Sequence, residues 1–72
     1  MLSLLVSITE GTDEERLQKA IDYYINRYGN KPQSCNVNKK TLSDDFKNKA
    51  YHGVEIVFDE QLKIGDFALV VQ

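Results

Sequence analysis

The sequence predicts a two-layer α+β domain in which one long helix packs on one face of a mixed four-stranded sheet. Three observations lead to this class: a capped amphipathic helix near the N-terminus, an alternating apolar segment on either side of it, and two alternating segments at the C-terminus. The expected element order is β-α-β-(short α)-β-β, and residues 1–72 are expected to form a single small domain. The strand order within the sheet does not follow from the sequence.

The helix is predicted between Thr12 and Gly29. Thr12 and Glu15 have the spacing of a capping box, in which each side chain accepts a hydrogen bond from the backbone amide of the other residue. Gly29 can take the left-handed conformation that ends a helix, and Pro32 prevents its continuation. Apolar residues recur between these limits at steps of three and four, which places them along one side of the helix. They are Leu17, Ala20, Ile21, Tyr24, Ile25 and Tyr28.

Two segments that flank the helix alternate between apolar and polar residues, as strands do. They are residues 1–9 and 33–38. A strand, a helix and a strand in this order predict a parallel crossover. The helix would then pack its apolar stripe against Leu4, Val6 and Val37.

The C-terminal half is predicted to contain two further strands, at 54–58 and 67–71, which a short connection joins in an antiparallel hairpin. The segment before them, 39–53, has two interpretations. Leu42 and Phe46 can belong to a short helix over about 44–50, which we prefer, or they can pin an ordered loop to the core.

The face of the sheet opposite the helix is the first candidate interaction surface. It would carry Leu5, Val57, Ala68 and Val70 among polar side chains. An apolar patch of this kind often marks a binding site for a protein partner or a homodimer interface. The alternative is that Ala68 and Val70 only satisfy the β propensity of a solvated face. A domain of this size has little apolar surface to spare, so we expect a non-enzymatic protein-interaction module that binds either a protein partner or a second copy of itself through this face.

The outer face of the helix is a second candidate for binding a partner. Arg16, Lys19, Tyr23 and Arg27 recur at steps of three and four and form a basic strip that contains a tyrosine. Arginine and tyrosine often anchor interfaces. The alternative, which we prefer, is a solvated helix face on which Asp22 and the acids of the first turn offset the basic charge.

A lysine-rich segment predicts the alternative function, that of a nucleic-acid-binding accessory protein. Between residues 31 and 49 five lysines stand against two acids, with Asn36, Asn38, Asn48 and Tyr51 close by in the sequence. The net charge of −2 and the pI of about 5.2 argue against this function, because nucleic-acid-binding domains usually carry a basic excess. The lysines are Lys31, Lys39, Lys40, Lys47 and Lys49.

Cys35 and His52 are the only residues of their kinds, so a thiol-imidazole pair has to be considered. A nucleophilic cysteine needs a base within reach and an electropositive, partly exposed setting. Cys35 instead alternates into the apolar side of its strand, where cysteine usually behaves as a small buried hydrophobe. Asp44 and Asp45 do not complete a zinc-site spacing with these two residues, and none of the common phosphate-loop, esterase or zinc-protease motifs occurs. We therefore expect no catalysis, cofactor or metal, and the sequence identifies no small-molecule ligand.

The single cysteine excludes an intramolecular disulfide framework and fits a reducing, intracellular setting. The apolar run 2–8 lacks the basic region and the cleavage pattern of a signal peptide, and it is shorter than the roughly 20 residues that a membrane span requires. A cytoplasmic protein without membrane contact is the expectation.

Overall fold

The computed structural model describes residues 2–47 and 49–72, and within them one α-helix packs on a five-stranded mixed sheet. The predicted two-layer α+β class is confirmed, whereas the predicted number of four strands is wrong. The elements in chain order are β1 (Ser3–Ser7), α1 (Asp13–Tyr28), β2 (Ser34–Val37), β3 (Ala50–Tyr51), β4 (Val54–Phe58) and β5 (Asp66–Val70).

The helix α1 has the capping arrangement that the sequence predicts. The hydroxyl of Thr12 accepts a hydrogen bond from the amide of Glu15 at 3.1 Å, and the carboxylate of Glu15 accepts one from the amide of Thr12 at 3.2 Å. At the other end Gly29 has a φ of 80°, and its amide donates to the carbonyl of Ile25. Tyr28, predicted in the apolar stripe, is 41% exposed. The buried residues of the helix are Leu17, Ala20, Ile21 and Tyr24.

The strand order is β1-β5-β2-β4-β3, with β2 parallel to β4 and all other neighbours antiparallel. The predicted hairpin between 54–58 and 67–71 is therefore wrong, because β2 lies between β4 and β5. The connection passes over the end of β2, where the amide of Asp59 donates to the carbonyl of Val37 and the side-chain amide of Asn38 donates to the carbonyl of Leu62.

The strand β5 is an interior strand of the sheet, because it pairs with β1 on one side and with β2 on the other. It therefore separates β1 from β2, which still run in the same direction and remain connected through α1. The core lies between α1 and the sheet face that carries Leu4, Val6 and Val37, as the crossover predicts. The sheet adds Cys35, Val54, Ile56, Phe67 and Leu69 to this core.

The predicted short helix over about 44–50 is wrong. A single 3-10 turn, Asp44–Phe46, stands in its place, with i to i+3 hydrogen bonds from Phe46 to Ser43 and from Lys47 to Asp44. The turn ends because Lys47 has an extended backbone (φ −65°, ψ 129°). Asn48 falls within the predicted helix and lies outside the described residues.

The strand β3 follows this turn and pairs with β4 through a two-residue connection, His52–Gly53. Both residues have positive φ, 50° and 84°. Two successive positive φ values define the type I′ turn, whose twist matches that of the strands it joins. Ala50 and Tyr51 therefore belong to a hairpin and not to a helix.

Candidate functional site

The open face of the sheet, on the side away from α1, carries the four apolar residues that the sequence singles out. The pairing register places Leu5, Ala68, Asn36 and Val57 in one row across β1, β5, β2 and β4. Val70 lies on β5 in the next row. The fold thus brings these residues to one face, with the polar Asn36 between Ala68 and Val57.

The four side chains differ in the surface that they offer to a partner. Leu5 is 59% exposed and Val57 is half-buried, whereas Ala68 and Val70 are only 7% and 4% exposed. Ala68 and Val70 therefore offer a partner little surface. The accessible apolar surface of this face is therefore concentrated at Leu5, at the margin of the sheet.

The strand β1 forms one edge of the sheet, since β5 is its single strand neighbour among the described residues. The carbonyl of Leu2 accepts from the amide of Val71, and the amide of Ile8 donates to the carbonyl of Gly65, both at 2.9 Å. Backbone groups alternate in direction along an antiparallel pair, so the even-numbered residues of β1 face β5. The N–H and C=O groups of Ser3, Leu5 and Ser7 therefore point away from the sheet along its free edge.

Part of the predicted helix strip lies beside the same edge. Leu4 of β1 lines a shallow cleft together with Tyr23, Asn26 and Arg27 of α1. Tyr23 is 65% exposed. Two surfaces that the sequence predicts as separate candidates, the open face at Leu5 and the helix strip at Tyr23, consequently flank one strand.

The other two residues of the helix strip lie elsewhere. Arg16 forms an ion pair with Asp13 and donates from Nη2 to the carbonyl of Thr41 at 2.8 Å, so its side chain is only 13% exposed. Lys19 lines a groove with Tyr51 and His52. Arg16 therefore fastens α1 to the loop after β2 and offers a partner little surface.

The five lysines of the predicted nucleic-acid segment lie before β2, after β2 and before β3. Lys31 precedes β2 and donates from Nζ to the carbonyl of His52 at 2.7 Å. Lys39 follows β2 and forms an ion pair with Glu60 at 3.2 Å. The others are Lys40, next to Lys39, and Lys47 and Lys49, which line a groove with Glu55. The ion pair of Lys39 with Glu60 and the presence of Glu55 in the groove place acidic groups among these lysines.

Cys35 lies in β2 beneath α1 and is 0% exposed. Burial raises the pKa of its thiol to about 12, so the thiolate is scarcely populated at neutral pH. His52 lies in an exposed turn, where its ring packs edge-on against the ring of Tyr51 with centroids 4.3 Å apart. Within residues 2–47 and 49–72, no three His, Cys, Asp or Glu side chains cluster closely enough to hold a metal ion.

Tyr51 joins β3 to the helix. Its hydroxyl donates to Oε1 of Gln18 at 2.8 Å. Partial burial raises the pKa of Tyr51, and the carboxylates of Glu14 and Asp22 raise it further. The hydrogen bond to Gln18 positions β3 against α1.

The sequence alone does not reveal the free edge, because the position of β1 depends on the placement of β5. Leu2, 76% exposed beside this edge, and Leu4 in the cleft were therefore not among the predicted site residues. The available signal was the run 67–70, which is apolar on both faces and is typical of a central strand.

None of the helices in the described ranges is both long and apolar enough to cross a bilayer. Comparisons with protein-family models, with curated proteins and with solved structures give no significant match.

Proposed function

We propose that this chain is a protein-interaction module, which acts by binding and not by catalysis, and that it binds its partner along the free edge of β1. We call this region the β1 surface and define it as Leu2, Leu5, Tyr23 and the outward backbone groups of Ser3, Leu5 and Ser7. One observation carries the proposal. Of the five large apolar side chains that are exposed among the described residues, three belong to this surface.

The apolar side chains and the outward backbone groups of the β1 surface both favour contact with protein. Burial of the apolar side chains lowers the free energy by about 25 cal/mol for each Å² that is removed from water. The outward N–H and C=O groups can accept an additional strand, a recognition mode that many protein-binding domains use.

The composition of β1 supports the same proposal. Exposed edge strands usually carry lysine, proline or a bulge, which prevents pairing with other chains. Residues 2–9 contain no charged residue and no proline, and β1 pairs with β5 in an unbroken register from Ser3 to Ser7. The edge thus lacks these protections, which is expected where pairing is the function.

Site-specific photocrosslinking tests the proposal. A photoreactive phenylalanine analogue replaces Leu5 in one variant and Glu55 in a matched control, since Glu55 is exposed on the same sheet face but on β4. We expect protein adducts, with a second copy or another protein, from position 5 and few from position 55. No adduct from position 5, or equal yields from both positions, would contradict the proposed function.

A further inference from the structure

We infer that the partner of the β1 surface is a second copy of this chain, bound as an antiparallel β1–β1 pair centred on Leu5. The two five-stranded sheets then join into one continuous sheet across a two-fold axis. The inference rests on the proposed function and identifies the partner.

The direction of the backbone groups determines the register. The outward residues Ser3, Leu5 and Ser7 are the ones whose N–H and C=O groups are free to bond along the edge. Pairing centred on Leu5 places Leu5 opposite Leu5 of the second copy and Ser3 opposite Ser7 of the second copy. All three pairs are of the hydrogen-bonded kind, so the edge gains about six backbone hydrogen bonds, two in each pair. A shift by two residues leaves only two such pairs between Ser3 and Ser7.

The side chains of β1 are compatible with this two-fold pairing. The strand has the sequence Ser-Leu-Leu-Val-Ser and therefore the same polarity pattern from either end. Leu5 packs on its own copy at the open face, and Leu4 lies opposite Val6 of the second copy on the helix side. An antiparallel pair of uncharged strands brings no like charges together. A strand of a different protein would need a matching pattern, which a second copy provides at once.

The size of the contact indicates which side chains must contribute. A stable interface buries about 800 Å² on each partner, or roughly one sixth of the 4732 Å² that this chain exposes. A five-residue strand edge supplies only part of that area. Leu2 and Tyr23 lie beside the edge with 76% and 65% of their surface accessible, and they supply further apolar area on the helix side.

Analytical ultracentrifugation of three proteins tests the inference. The unmodified chain is expected at twice its mass of 8.3 kDa. Leu5→Lys is expected at the monomer mass, because lysine on an edge opposes pairing. The matched control Val57→Lys, in the same row of the open face but on β4, is expected to remain dimeric. A dimer in Leu5→Lys would contradict edge pairing. A monomer in both variants, with folding intact by circular dichroism, would also contradict it and would indicate a face-to-face dimer.

Disulfide trapping tests the register. In the inferred dimer Ser3 and Ser7 of the second copy have Cα atoms about 5.5 Å apart, within the range that a disulfide bridges. Ser3 and Ser3 of the second copy lie about four residues, or roughly 13 Å, apart along the strands. We therefore expect crosslinked dimer when the Ser3→Cys and Ser7→Cys variants are mixed, and little from Ser3→Cys alone. Equal yields would overturn the register, and the buried Cys35 provides no competing thiol.

The outcomes separate this inference from the proposed function. If the chain is monomeric at millimolar concentration but position 5 photocrosslinks to a different protein, the proposed function stands and self-pairing is overturned. If the chain is monomeric and position 5 gives no adduct, both are overturned.

Discussion

Arg16 joins parts of the chain that lie 25 positions apart. Its guanidinium pairs with Asp13 and donates to the carbonyl of Thr41, while Oδ2 of Asp13 accepts from the amide of Ser43 at 2.9 Å. The start of α1 and the loop after β2 are thus held together by a small polar network. The helical pattern of the sequence assigns Arg16 to an exposed strip. The sequence does not reveal its burial, because a long-range acceptor such as the Thr41 carbonyl has no local signature.

Replacement of Arg16 by methionine is expected to lower the free energy of unfolding by about 1.5 to 3 kcal/mol, since a hydrogen bond to a charged group contributes about that much. The Nε of Arg16 is buried and has no hydrogen-bond partner in the described part of the chain. An unsatisfied buried donor costs free energy, so its removal in the methionine variant offsets part of the loss of stability. Urea denaturation measures the change. The control Lys19→Met, at an exposed position of the same helix, should shift stability by less than about 0.5 kcal/mol, and an equal loss in both would contradict the role of Arg16.

The buried thiol of Cys35 gives the protein an alkaline stability limit. Its pKa is raised from 9.0 to about 12 by burial, so across that window the folded chain retains a proton that the unfolded chain loses. Below pH 9 the thiol is protonated in both the folded and the unfolded chain, and its contribution to the free energy of unfolding is fully present. Above pH 9 the free energy of unfolding should fall by up to about 1.4 kcal/mol per pH unit. Denaturant titrations across the window should show a shallower fall in Cys35→Ala, and an unchanged slope in that variant would contradict the prediction.

At the scale of elements, local signals were sufficient for α1 and insufficient for the sheet. Thr12, Glu15 and Gly29 act on backbone groups within four residues, so the caps follow from the sequence. The strand order depends on the connection after β4, which Asn38 holds over the end of β2 through the carbonyl of Leu62, 24 positions away. No short-range pattern contains that information, which explains why the hairpin of 54–58 with 67–71 was wrongly predicted and why Leu5 could not be assigned to an edge.

The hairpin of β3 and β4 was missed for a different reason. Its turn is His52–Gly53, and type I′ turns are usually recognised by asparagine or aspartate before the glycine. Histidine is the one non-glycine residue with positive φ among the described residues. It adopts this conformation at a cost that asparagine would reduce.

His52→Asn should therefore stabilise the hairpin, by about 0.5 kcal/mol, while Gly53→Ala should destabilise it by about 1 to 2 kcal/mol because alanine resists positive φ. Urea denaturation of both variants gives the two shifts. Loss of stability in His52→Asn, or no loss in Gly53→Ala, would show that the turn is not of the type described.

At the scale of the whole molecule, the strand order positions the exposed apolar groups. Because β5 inserts between β1 and β2, β1 is left at the edge with Leu5 on one face and the cleft at Tyr23 on the other. Ala68 and Val70 of β5 are buried. Residues 2–9 carry no charge, and Arg27 lines the cleft beside Tyr23. A partner that binds the β1 surface therefore meets apolar side chains and backbone groups, with the charge of Arg27 beside them.

Self-association through an uncharged strand should depend little on salt. The dimer dissociation constant, measured by sedimentation at low and high ionic strength, is expected to change by less than about threefold, whereas phosphate contacts would lose affinity by orders of magnitude over such a range. Binding of a nucleic acid that falls steeply with salt, in a chain that stays monomeric, would favour the lysine segment instead.

Hydrogen exchange of the β1 amides at two protein concentrations tests the central claim most directly. The amides of Leu4 and Val6 face β5 and should be protected in dilute and concentrated samples alike. The amides of Ser3, Leu5 and Ser7 face the free edge and should exchange rapidly when dilute but become protected when concentrated, except in Leu5→Lys. Rapid exchange of these three amides at every concentration would contradict pairing of the β1 edge.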